Sequence, residues 1–210
     1  MNDFEAFLDA LQDDNETMLS RLGSSRSLYA ETHGELETEP VLRAAAQAER
    51  AASETFAQWA EDESDPDARA FFERVAAQER GHYDTILDIG VSDEASVDPS
   101  RVHEYLRQLE DTDERIGGFV GRCLVSKRSK TQTVGFFVGN ADPQMADVFR
   151  GFGTDLDEQL TDAAELFDTV CEDEESWARA TEAAETAIEA AYDEYVENLE
   201  AQGLKPKPVC

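Results

Sequence analysis

The chain is poor in lysine, which occurs only as Lys127, Lys130, Lys205 and Lys207, and its 18 Lys and Arg residues face 48 Asp and Glu. The formal net charge of -30 leaves no basic face for neutralising phosphates, so the composition argues against nucleic acid as a partner. Cysteine is also scarce: Cys123, Cys171 and Cys210 lie far apart and form no CxxC pair, which excludes a zinc ribbon or a tetrathiolate iron site. Cys123 and Cys171 read as core thiols. No apolar run is long enough to span a bilayer and no charged-then-apolar leader opens the sequence, so a cytoplasmic location without membrane attachment is expected.

What the chain does have is acid dispersed among aromatic residues at helical spacing, a pattern that disfavours disorder. Such an acidic surface suits a salt-rich cytoplasm, because at 1 M salt the screening length is roughly 3 Å and self-repulsion fades. A halophilic source is the expectation.

Apolar periodicity and breakers give six helical stretches and no convincing strand. The first runs from about 3 to 22 and stops at "GSSRS". The second extends from Pro40 to the turn at Pro66, and the third from there to Gly90, before the polar loop "VSDEASVDPS". The fourth spans about 101 to 126 and ends at the basic "SKRSK"; the fifth covers about 143 to 170 and the sixth about 175 to 202. The glycine-broken "TQTVGFFVGNADP" between the fourth and fifth reads as a short buried helix or a covering loop. The predicted fold is an all-α up-down four-helix bundle over residues 37–172. An N-terminal helix and connector (1–36), a C-terminal helix (173–202) and an extended Lys/Pro tail (203–210) flank it.

In a bundle the central stripe of each helix faces the core, so polar residues on it call for a reason. On the second helix the stripe is Leu42, Ala45, Glu49, Ala52, Phe56, Trp59 and Glu63; on the third it is Ala68, Phe72, Val75, Glu79, His82, Ile86 and Ile89. An unpaired buried carboxylate costs several kcal/mol or takes up a proton, so each of these needs a cation or a metal. Glu79 and His82, at i and i+3, project from one face, and with Glu49 from the neighbouring helix they make an oxygen/nitrogen set suited to iron or manganese. On the fourth helix, Glu110 and Asp113 sit at the edge of the apolar face and are candidates for the same site; a solvated face is the competing reading. The fifth helix places Leu156 and Gln159 inward on the stripe Met145, Phe149, Phe152, Leu156, Leu160, Ala163, Phe167; a register slid by one would instead bring Asp155 and Glu158 inward. His33 reads as a loop or helix-end residue, and His103 as a capping or surface residue.

These residues resemble the ferritin-like superfamily, and rubrerythrins most closely. In "ERAASETFAQWA" the resemblance rests on Glu49, Phe56 and Trp59, and in "AFFERVAAQERGH" on Phe72, Glu79 and His82, with "EDTD" (Glu110 and Asp113) as a shortened ExxE. It is good over residues 40 to 90, loose over 100 to 125 and poor afterwards; no ExxH occurs on the last bundle helix and no rubredoxin-type CxxC pair follows. What it implies is one or two iron ions, or manganese, held by Glu49, Glu79, His82, Glu110 and Asp113. It further implies a non-haem iron oxidoreductase or iron handler in peroxide and oxygen defence, a homo-oligomer, and an external electron donor. A metal-free helical-bundle interaction or regulatory protein that keeps a degenerate site is the alternative. The tail "GLKPKPVC" reads either as a disordered end or as a docking peptide, with Cys210 available for oxidation.

Overall fold

The computed structural model describes residues 4–91 and 99–206. The predicted polar loop at 92–98 and the last residues of the tail, Lys207 to Cys210, lie outside the described residues. Within them the chain is all-α: α1 (Phe4–Asp14), α2 (Glu16–Leu22), α3 (Ser25–Glu31), α4 (Thr38–Asp62), α5 (Pro66–Asp88), α6 (Arg101–Leu106), α7 (Thr112–Gly139), α8 (Pro143–Val170) and α9 (Glu174–Ala201). No helix among the described residues is long and apolar enough to cross a membrane.

Two antiparallel hairpins, α4/α5 and α7/α8, form the bundle, and α9 lies along α7 on its far side. Each hairpin is closed by local chemistry. Asp65 caps α5, its carboxylate accepting from the backbone N–H groups of Asp67 (3.0 Å) and Ala68 (2.8 Å), with Pro66 at the first helical position. At α8, Asp142 accepts from Met145 N–H (3.0 Å), and α9 opens with a reciprocal capping box between Asp173 and Ser176. Below the middle of the bundle Phe56, Trp59, Phe71, Phe72 and Phe119 meet edge to face at 5.0–5.4 Å between ring centres, which makes that end dry and rigid. Trp59 Nε1 donates to the carbonyl of Leu106 (3.1 Å), which ties α4 to the α6 connector.

The helix boundaries differ from the sequence reading in three places. The first predicted helix is two, broken at Asn15, whose side chain donates to the carbonyl of Leu11 (2.9 Å), and α3 occupies the stretch read as a connector. The predicted fourth helix starts late, because 107–111 interrupts it after α6. It also does not stop at "SKRSK": α7 continues through "TQTVGFFVG" to Gly139. Glycines in a helix interior cost about 1 kcal/mol each, but here tertiary packing overrides them. Phe137 is fully buried and stacks on Phe149 at 5.6 Å, and Thr133 is buried.

On its opposite side α7 approaches α9 backbone to backbone. A Cβ placed on Gly117 would lie 2.0 Å from the Ala180 carbonyl oxygen, and one on Gly121 would lie 2.3 Å from that of Ala184. Those two glycines, set against alanines, define how near the helices come.

Candidate functional site

At mid-height of the bundle the structure brings Glu49, Glu79 and His82 together, with one ligand-type atom from each within 4.8 Å of the others. Glu49 and His82 are nearly inaccessible and Glu79 is wholly so. The α4/α5 hairpin aligns them: Ser53 Oγ donates to the Ala76 carbonyl across the pair (3.1 Å), one turn away from the cluster. The imidazole stacks on Phe152 at 4.1 Å, and its Nε2 lies 2.7 Å from Asp155 Oδ2.

The cluster is completed by cations from α7. Arg122 donates to both oxygens of Glu79, Nη1 to Oε1 at 2.9 Å and Nη2 to Oε2 at 3.2 Å, while its guanidinium lies over Phe56 at 5.4 Å. Lys130 Nζ donates to Glu49 Oε1 at 2.7 Å. Gln159 Nε2 adds a bond to Glu79 Oε1 (3.1 Å). His82 Nδ1 lies 3.5 Å from Glu49 Oε2 and 3.8 Å from Glu79 Oε2.

Titration behaviour follows from this geometry. Burial pushes Glu79 toward the neutral form, but the Arg122 charge, with His82, outweighs it and holds the carboxyl well below its usual range. Burial likewise opposes charge on His82, yet Glu49, Glu79 and Asp155 outweigh it and raise the imidazolium to about 9. In composition the cluster pairs three acidic side chains (Glu49, Glu79, Asp155) with three basic ones (Arg122, Lys130, His82), so its formal charges balance.

The same pattern recurs lower in the bundle. Glu63, buried at the end of α4, accepts from Arg115 (3.1 Å) and from the Thr112 hydroxyl (2.9 Å). Each of the three buried glutamates of α4, α5 and their turn thus has its own cation from α7, at Arg115, Arg122 and Lys130. Positions spaced by seven and eight residues share one helix face. These cations were not among the residues expected for the site: Lys130 lies seven residues beyond the buried Cys123, past residue 126 where the fourth helix was expected to end.

Glu110 and Asp113 do not join the cluster. Glu110 is exposed in the segment between α6 and α7. Asp113 is buried in the first turn of α7 but is bonded to Arg179 of α9 (3.0 Å from Nε). It lies nine residues from Arg122, about 13 Å along the helix axis. The late start of α7 is the reason: the helix opens at Thr112, so both acids fall at its end. On α8 the structure adopts the main predicted stripe, with Leu156 and Gln159 buried and Glu158 exposed; Asp155 is half-buried and reaches His82 from the edge. His33 is exposed in the turn after α3 with φ of 51°. His103, expected as a capping or surface residue, is buried: burial, with the charges of Arg122 and Arg107, lowers it to about 3 and keeps it neutral. Cys123 and Cys171 are buried free thiols, and burial raises both to about 12.

The fold is an all-α ferritin-like helix bundle. A family model described as Rubrerythrin matches residues 5–89, which covers α1 to α5 and with them Glu49, Glu79 and His82. Arg122, Lys130, Asp155 and Gln159 lie outside that match. No curated protein and no solved structure matches the chain.

Two carboxylates and an imidazole within 4.8 Å are a donor set that can hold one metal ion. A dinuclear centre does not fit. Both Glu79 oxygens and one Glu49 oxygen are already bonded to cations, and the only carboxylate oxygen of this pair without a hydrogen bond is Glu49 Oε2. A divalent ion roughly 5 Å from a buried monovalent cation is repelled by about 7 kcal/mol at an effective dielectric constant near 20, and here there are two such cations.

Proposed function

We propose that this chain is a ferritin-like bundle in which fixed cations take the place of resident metal, and that it acts as a binding or regulatory protein. The observation that carries this reading is the pairing of Arg122 with both oxygens of Glu79 beside the Lys130–Glu49 pair. A buried acid cluster whose formal charges already balance has no electrostatic demand for a further cation. The residues that would tune a metal instead lock α4, α5, α7 and α8 in register, a role well attested for buried charge networks. The net charge of -30 adds the further reading that the protein works in a salt-rich cytoplasm.

The test is metal content. Protein purified from iron-supplemented, high-salt medium is expected to carry substoichiometric metal, with a Tm unchanged by chelator. Stoichiometric iron that disappears in Glu79→Ala and His82→Ala would overturn the proposal.

One observation favours a second reading, an iron-binding oxidoreductase or iron handler served by an external electron donor. The Glu49, Glu79 and His82 atoms are close enough to share one ion, and Arg122 and Lys130 border an open cavity of about 560 Å³. On this reading added ferrous iron raises the Tm; on the first it does not.

A further inference from the structure

Beside the charged cluster lies a cavity of about 560 Å³, lined mainly from α3, α4, α7 and α9 and closed by side chains of α5, α6 and α8, a size typical of small-molecule sites. Its walls include the buried apolar side chains of Leu28, Val41, Tyr83, Val102, Phe149 and Tyr195. Its buried polar lining is Ser27, Glu49, His103, Arg122, Lys130 and Thr133, of which Ser27 donates to Glu31 (3.0 Å) and Thr133 to the Ser129 carbonyl (3.2 Å).

The chemistry of those polar groups is specific. Thr55 Oγ1 donates its own proton to the Ala51 carbonyl (2.7 Å), so toward His103 Nδ1 (3.0 Å) and Arg107 Nε (3.0 Å) it can only accept. His103 is therefore protonated on Nδ1, and its Nε2 is a bare acceptor that bonds to no described residue. Lys130 spends one of its three N–H donors on Glu49. The residues lining the cavity thus hold two acceptors without a partner, His103 Nε2 and Glu49 Oε2, beside spare donors on Lys130, while the buried cations are already matched, Lys130 by Glu49 and Arg122 by Glu79. At the rim Arg50 pairs with Glu54 (2.8 Å) and Arg43 with Glu39 (2.7 Å). A charged ligand would bring an unmatched charge to buried groups that have their partners, which is costly. A purely apolar one would leave His103 Nε2 unsatisfied.

We propose that this cavity binds an uncharged amphiphile with an apolar body and a hydroxyl terminus, the hydroxyl donating to His103 and accepting from Lys130. This rests on the metal-free reading, since a metal on Glu49 would release Lys130 as an unpaired cation and favour an anionic ligand.

The probes are 1-decanol, decanoate and decylammonium, titrated calorimetrically into the full chain, with metal content measured on the same sample. Saturable 1:1 binding of 1-decanol, with both charged analogues at least about tenfold weaker, is expected. His103→Phe keeps the volume and removes the acceptor, and should weaken 1-decanol by about fivefold, as loss of one hydrogen bond implies. Ala46→Phe, which fills the cavity from α4, should abolish binding. Comparison of the three probes on the unaltered protein holds even if a variant fails to fold. No saturable binding by metal-free protein, or equal binding of decanoate, overturns this inference and leaves the metal-free reading standing. Stoichiometric iron in the sample overturns that reading itself and this inference with it.

Discussion

Removing Arg122 is the sharpest probe of the cluster. In Arg122→Ala the fully buried Glu79 keeps only the Gln159 amide and the nearby His82, and the guanidinium contact with Phe56 is lost. Breaking a buried pair from one side costs about 3–5 kcal/mol, which for a chain of this length lowers Tm by roughly 6–20 °C. The pH dependence carries the diagnosis. In the unaltered protein Glu79 titrates well below its unfolded value, so its contribution is present above about pH 4.5 and is lost as the pH falls through the folded value. Without Arg122 burial dominates, the folded carboxyl rises above its unfolded value, and the penalty grows as the pH increases. Thermal unfolding at pH 7 and pH 5 should therefore show a larger gap between variant and parent at pH 7. The double variant Glu79→Leu/Arg122→Met should recover most of the loss, because a buried pair replaced by apolar groups of similar volume is near neutral. A single variant within about 1 kcal/mol of the parent, or a penalty equal at both pH values, would refute the electrostatic account.

Further outcomes follow from the helix packing, from His82 and from the buried thiols. Gly121→Ala places a methyl 2.3 Å from the Ala184 carbonyl oxygen, so α7 and α9 must separate; overpacking of this kind costs about 1–3 kcal/mol and is read as a lower urea midpoint. Gly135→Ala, with nothing within 4 Å, should instead be neutral or stabilising. His82 is raised in the folded state to about 9, so its stabilisation is complete below the unfolded value of about 6.5 and lost as the pH rises through about 9. Asp155→Asn should flatten that alkaline loss, measured by chemical unfolding between pH 6 and 10. Cys123 and Cys171 should react with a thiol reagent only at the rate of unfolding, a prediction checked by comparing labelling in native buffer and in denaturant, with Cys210 as the third thiol of the chain.

The all-helical class, the α4/α5 hairpin and the inward position of Glu49, Glu79 and His82 were legible in the sequence. They depend on local periodicity: side chains three and four residues apart share a face, and a turn with Asp65 and Pro66 sets where one helix ends and the next begins. The buried polar residues also announced that partners had to exist, since burial of a lone carboxylate is too costly. Which partners they find was settled only in three dimensions. Arg122 and Lys130 lie 43 and 81 residues from Glu79 and Glu49 and become neighbours because α7 runs on through a glycine-broken, basic segment that local propensity would end. Glu110 and Asp113 fall outside the cluster for the related reason that α7 begins late. Helix periodicity specifies a face, whereas the choice between a metal and a protein cation depends on which distant side chain the packed bundle delivers to that face.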